Sequence, residues 1–354
     1  MKKHLLALAA LATVSGFAAA QSATVYGVID AGVYTTNNGA TTGARQTVAT
    51  SGTWFPSLFG ITGSEDLGGG LKASFNLQGS LGIQNGSNYE ANNSANANGL
   101  FGREATVSLA SSAGTIRLGR QIDNMFLQSF LNGVIPTHAN SLALNQTLLS
   151  GPAAVNSQVA GIFVNNAVEY ATPVVNGLQG KGQYSIGGVA GASDKSSAYS
   201  GLVTYSGPVS LSAGYSAARD ANGSTTGSAV GTKALLGAKY SIGAIDLAAQ
   251  YNQFKTGTVK TTGYEVGAGY HVTPAFLVAV NYESIDKDTI TAGKIDVVSL
   301  KAKYDFSKRT YVYSMISNYN SVASANLNQG YAALAAVGTA KATQGVAVGL
   351  VHGF

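Results

Sequence analysis

Histidine is the scarcest of the side chains that carry acid–base chemistry here. There are 4 His against 21 Lys and Arg and 16 Asp and Glu, and no Cys. Without thiols there are neither disulfides nor thiolate metal sites. A hydrolase needs a nucleophile and a base within hydrogen-bond reach. Beyond the N-terminal segment the candidate bases are His138, with Ser141 just after it, His271 and His352. His271 falls in a short turn and His352 on the apolar phase of the last strand, so interface roles suit both better than catalysis. No acidic spacing matches a calcium loop. The glycines at 68–70 precede a strand rather than a helix, so they cradle no phosphate. No cofactor is expected. What remains is charge at fixed positions: Arg103, Arg117, Asp123, Glu169 and a series of Lys.

Strands must hold those charges. Residues 71–84 read LKASFNLQGSLGIQ. Leu71, Ala73, Phe75, Leu77, Leu81 and Ile83 share one phase, and Lys72, Ser74, Asn76, Gln78 and Gln84 the other. A period of two over this length marks a β-strand with one dry and one wet face. A tilted strand crossing a bilayer takes about 9–11 residues, and this one has enough. Residues 23–34, 58–65, 101–109, 115–121, 178–186, 209–215, 245–252, 298–304 and 344–354 continue the pattern, while 35–53 and 85–99 read as polar loops. On the wet phase Lys72, Lys181, Lys233, Lys239, Lys301 and Lys303 point toward a lumen. Tyr170, Tyr205, Tyr240, Tyr270 and Tyr304 recur at near-regular intervals, each before a turn marked by Pro, Gly or polar residues. Short turns at one end, longer loops at the other and a row of Tyr at the turns describe a transmembrane antiparallel β-barrel. A soluble sandwich would need a second sheet to cover the outward Leu, Val and Tyr.

The ends and the composition agree. Lys2 and Lys3, an apolar core from Leu5 to Phe17 and Ala18–Ala20 form a signal peptide over 1–20, leaving 21–354 as the barrel. After it no apolar run reaches the ~18 residues of a membrane helix. Only 10% of residues are charged, and there are 45 Gly and 18 Tyr. A soluble domain averages about 25% charged residues. The small positive excess is not clustered as a nucleic-acid surface would be.

Seven segments in order resemble the trimeric general porins of the Gram-negative outer membrane, of the neisserial and burkholderial branch. They are VYGVIDAGV (25–33), GSEDLGGGLKASFNLQ (63–78), FGREATVSL (101–109), GTIRLGRQ (114–121), VNNAVEYATP (164–173), YDFSKRTYVY (304–313) and GLVHGF (349–354). The resemblance implies sixteen strands, short periplasmic turns, long extracellular loops and a third loop, at about 122–163, folded into the pore. It also implies a homotrimer in the outer membrane, contacting lipid and lipopolysaccharide, that passes small hydrophilic solutes and ions. Residues 85–99 would latch onto a neighbouring subunit. Gly349, His352 and Phe354 resemble the signal read by the barrel-assembly machinery.

A porin eyelet filters by width and by opposed charges. Arg103, Arg117, Asp123, His138 and Glu169 are its expected charged or titratable groups. Strict alternation places Arg117 in the lumen but not Arg120, and would aim Arg103 outward unless a bulge intervenes. Leu58, Thr62, Phe163 and Glu169 occupy positions where the family usually carries basic residues, so the eyelet is expected to be weakly charged and apolar. Asp123 is placed to cap a short helix. Trp54 and Phe55–Phe59 are expected at a membrane interface or subunit contact. A channel selective for a small uncharged or aromatic solute is the alternative. An enzyme built on His138 and an adhesin built on loops 35–53, 85–99 and 321–341 are further ones.

Overall fold

A computed structural model describes residues 22–39, 44–86, 99–137, 162–191, 195–219, 231–256, 259–288, 294–320 and 344–354. His138, Ser141 and most of the loops at 85–99 and 321–341 lie outside the described residues. The strands are β1 (Ser22–Gly39), β2 (Ala44–Ser51), β3 (Leu58–Gly68), β4 (Leu71–Ser80), β5 (Glu104–Ser111), β6 (Gly114–Ile122), β7 (Phe163–Ala171), β8 (Leu178–Ser185) and β9 (Ala198–Tyr205). They continue as β10 (Val209–Ala218), β11 (Gly231–Ile242), β12 (Ile245–Thr256), β13 (Val259–Thr273), β14 (Phe276–Lys287), β15 (Ile295–Asp305), β16 (Thr310–Tyr319) and β17 (Gln344–Gly353). Helix α1 (Asn124–Asn132) lies between β6 and β7.

Each strand pairs antiparallel with its neighbours, and β17 closes on β1 from Val28↔Gly353 to Thr36↔Gly345. The Gly27 N–H donates to the Phe354 carbonyl at 3.1 Å and the Phe354 N–H to the Gly27 carbonyl at 3.0 Å. Closure leaves no open edge whose N–H and C=O groups would face hydrocarbon. The seventeen described strands make sixteen staves, because β2 and β3 are one stave in two pieces. The lower half of β1 pairs with β3 and the upper half with β2. Residues 52–57 leave the wall between them and turn inward.

That break corrects two sequence expectations. Residues 35–53 are not simply a loop: β1 runs on to Gly39, and Ala44–Ser51 forms β2. Trp54 does not anchor an interface. It is 3% exposed, its ring centroid lies 5.0 Å from that of Tyr313, and its N–H donates to Asp30 inside the barrel. Aromatic residues beside a strand read as an interface belt, and nothing local reveals that the chain folds inward there.

Alternation holds around most of the rest of the wall. Val107, Leu109, Ile116, Leu118, Val203, Leu236, Val298 and Leu300 are exposed on the outside. Thr106, Gln183, Ser200, Ser212, Asn252, Asn281 and Ser299 are buried on the inside. Tyr170, Tyr240, Tyr270 and Tyr304 stand exposed at the short-turn end, as expected of an interface row. No described helix is long and apolar enough to cross a membrane, so crossing falls to the strands. At the turn after β3, Gly68, Gly69 and Gly70 all take positive φ, which other side chains resist.

Candidate functional site in the barrel lumen

The inside of the barrel is organised by two inward elements on opposite sides: the segment 52–57 and helix α1. Asp30 holds the first. Its carboxylate is fully buried and accepts from the Trp54 N–H at 2.6 Å, the Phe55 N–H at 2.9 Å and the Tyr313 hydroxyl at 2.8 Å. Ser57 completes the clamp: its Oγ accepts from the Asp30 N–H at 2.9 Å and donates to the Asp30 carbonyl at 3.1 Å. Tyr313 reaches Asp30 because Gly32 and Gly349 face it, and a Cβ at Gly349 would collide with the phenol. Asp30 falls on the polar phase of residues 23–34, but the partners that give it its role are remote in the chain, and the two-residue period does not reveal them.

Helix α1 is the second element. Asp123 is its N-cap, with extended backbone, and accepts from the Phe126 N–H at 2.6 Å, as its type and position predicted. Met125, Ser129 and Asn132 recur on one face and dock on the wall. Ser129 Oγ donates to Gln250 Oε1 at 2.9 Å and accepts from Asn252 Nδ2 at 2.7 Å. Ser212 Oγ donates to Asn132 Oδ1 at 3.0 Å, and Lys239 Nζ donates to the Leu131 carbonyl at 3.1 Å. Phe126 and Phe130 turn to another face and join a core with Val134, Ile135 and Phe163. Phe126, Phe130, Val134 and Ile135 are buried there, and Leu131 remains exposed. Farther along, Thr137 accepts from Lys301 Nζ at 2.6 Å.

Burial pushes the Asp123 carboxyl above its ordinary range, against the opposing pull of Lys233 and the Phe126 and Met125 N–H groups. Its Oδ1 lies 3.8 Å from Lys233 Nζ, which also stands 4.8 Å from the Phe254 ring centroid. A raised carboxyl pKa means that ionisation costs folding free energy. Its contribution to stability is therefore greatest below pH ~3.9, the unfolded value, and falls as pH rises through the folded one. Asp123→Ala removes the cap, worth about 1–2 kcal/mol, and strands the Lys233 ammonium. Adding Lys233→Met is expected to recover part of that loss in a urea titration of the refolded protein, whereas strict additivity would show that the two do not interact.

The expected eyelet charges divide into two groups. Arg117 faces inward as predicted, with Nη2 2.5 Å from Glu169 Oε1 and Nη1 3.8 Å from Glu104 Oε1. Glu104, not singled out from sequence, also accepts from Asn76 Nδ2 at 2.7 Å. Arg103 escapes the conflict of phase because it precedes β5. It is buried, its Nε donates to Gln78 Oε1 at 2.8 Å, and its guanidinium carbon lies 5.3 Å from the Phe163 ring centroid. Arg120 was placed off the lumen phase, yet its guanidinium carbon lies 5.0 Å from the same ring and it bonds Asn165. The register shifts between Gly119 and Gln121 against β7, where Asn166 takes φ of 51°. That bulge breaks the alternation.

Lys72, Lys181 and Lys239 all sit on the inward phase, Lys72 exposed near the turn. Gly349 faces Tyr313, His352 Nδ1 shares a 2.9 Å hydrogen bond with Thr310 Oγ1 on the outer face, and the Phe354 ring rests against Gly27. Among the described residues no group of three or more His, Cys, Asp or Glu could hold a metal ion.

A closed antiparallel barrel with an apolar, Tyr-belted exterior and fixed charges around an inward helix is a channel of the outer-membrane kind. The chain belongs to the Gram-negative porin family, whose sequence profile matches residues 7–324. It is 32% identical to outer membrane porin protein 32 of Delftia acidovorans, over 100% of both chains. It is 29% identical to an outer membrane porin protein of Bordetella pertussis, over 89% of this chain and 93% of that one. Among solved structures it is similar to the anion-selective porin from Comamonas acidovorans, with a TM-score of 0.78, 26% identity, and coverage of 95% of this chain and 100% of that one. It is an outer-membrane porin.

Proposed function

We propose that the lumen is a water-filled path for passive diffusion of small hydrophilic solutes and ions, narrowed where the third loop, led by α1, faces segment 52–57. The observation that carries this reading is the closed wall with polar side chains inside and a helix hydrogen-bonded to its inner surface. Charge at the narrowing is largely matched. Arg117 stands against Glu169 and Glu104, and Asp123 against Lys233. Arg103, Arg120 and Lys239 add cationic character, which Asp30 beside segment 52–57 and Glu265 beside α1 offset, so the selectivity is weak. Residues 1–20 act as the export signal, and Gly349, His352 and Phe354 present the closing strand to the assembly machinery. The functional unit is a homotrimer among outer-membrane lipid. Leu100 and Phe101 support this: they lie over the outer wall, where the Leu100 carbonyl would block a Cβ on Gly79 and Phe101 packs 6.3 Å from Phe59.

The reversal potential of the refolded oligomer under a tenfold KCl gradient tests the reading. It should stay well short of the ~59 mV of an ideally selective pore. Glu169→Gln should move it toward anions and Arg117→Ser toward cations. Strong anion selectivity abolished by Arg117→Ser would overturn the matched-charge account, and absence of conductance would overturn the channel.

A further inference from the structure

Between segment 52–57 and α1 lies a cavity of about 250 Å³. Phe55 and Leu58 line it on one side, Phe126 and Phe130 on the other, with Phe163 between them. Gln78 and Arg103 reach its wall, along with Ser51, Ser57 and Ser80. The apolar residues come from three separate parts of the chain and converge only because the second stave breaks. Arg103 supplies the cationic edge, its guanidinium carbon 5.3 Å from the centroid of the Phe163 ring on which Arg120 also stacks. Guanidinium groups stacked on an aromatic face are fixed in orientation and bind carboxylates well. Small-molecule sites characteristically combine an apolar, aromatic lining with one or two placed polar groups. An apolar cavity of about 150 Å³ holds a benzene ring, so this one has space for a ring and one substituent.

We propose that this cavity is a binding site for single-ring aromatic carboxylates, with the ring among the Phe side chains and the carboxylate at Arg103. The proposal rests on the diffusion reading in one respect: the site is reached from the lumen, and occupying it obstructs the path. The occupant's two halves match the two halves of the lining. An aliphatic acid forfeits the stacking and a neutral aromatic forfeits the guanidinium.

The test uses the refolded full-length oligomer in a planar bilayer, with benzoate as the probe and acetate and benzyl alcohol as its two halves. Benzoate is expected to reduce conductance saturably, with half-block at least tenfold below either half-molecule. Leu58→Trp, which fills the cavity, and Phe163→Ala, which removes the shared ring, should each raise the half-blocking concentration at least tenfold, measured against that variant's own open conductance. Equal effects of the three probes, or unchanged half-block in Leu58→Trp, would overturn the site. Titration calorimetry of benzoate into the detergent-solubilised oligomer separates the two readings. A channel that never opens defeats the diffusion reading, and the heat of binding then decides the site: saturable heat lost in Leu58→Trp sustains it, and none overturns it.

Discussion

Asp30→Ala is expected to lower the stability of the folded barrel by about 3–5 kcal/mol, because it strands several buried donors at once. The Trp54 and Phe55 N–H groups and the Tyr313 hydroxyl all converge on this carboxylate. A buried donor without an acceptor costs about 1–3 kcal/mol. Asp30→Asn keeps the oxygen that holds the Trp54 and Phe55 N–H groups and sets its Nδ2 against the Tyr313 hydroxyl, which must turn from donor to acceptor, so it should lose roughly half as much. The chain has a single Trp, at position 54, so its fluorescence reports this segment alone. In Asp30→Ala the emission should shift to the red before the strand signal in circular dichroism is lost. Coincident transitions at the parent's urea midpoint would show that the carboxylate does not hold the segment.

Lys301→Met should have an effect of similar size three staves farther around the wall. Lys301 is 1% exposed and lies within electrostatic reach of Glu265 and Glu283, both of them buried. Those acids are also bound by neutral partners: Gln250 Nε2 donates to Glu265 at 2.8 Å and Asn281 Nδ2 to Glu283 at 3.0 Å. Amides satisfy lone pairs but leave the net charge. Removing one partner from a buried ionic group costs about 3–5 kcal/mol. Thr137, at the end of the described third-loop segment, also loses its contact with Nζ. The measurable result is an earlier urea midpoint and a noisier open current. Recovery of most of the loss by Lys301→Met with Glu283→Gln would establish charge, rather than packing, as the cause. A single substitution within 0.5 kcal/mol of the parent would refute it.

The wall was largely legible in the sequence because a two-residue period survives every turn, and because outward Leu, Val and Tyr leave little ambiguity about which face meets lipid. Arg117, Lys72, Lys181 and Lys239 fell on the inward phase by counting alone. Asp123 was recognisable as a cap from its type and place. Counting failed wherever the wall departs from regular pairing. Arg103 stands just outside β5, and Arg120 sits beside the bulge at Asn166, so the period had no authority over either. Segment 52–57 was misread for a related reason: Trp54 and Phe55 next to a strand have the composition of an interface belt. Asp30 and Lys301 could not be valued because their partners are brought close only by strand pairing and by segments that turn into the lumen. The departures from family habit at Leu58 and Phe163 were visible, but not that the two side chains share one cavity.

The two sides of the constriction are attached to the molecule by different means. Residues 52–57 are a detour within a wall strand, spliced between pieces that are both zipped to β1. Moving them would unpick main-chain ladder bonds. The α1 side is fastened by side chains such as Ser129, Asn132, Lys239 and Lys301, which can let go singly while every stave stays intact. Spontaneous flicker in the open current should therefore originate on the helix flank, against a jaw that stays still.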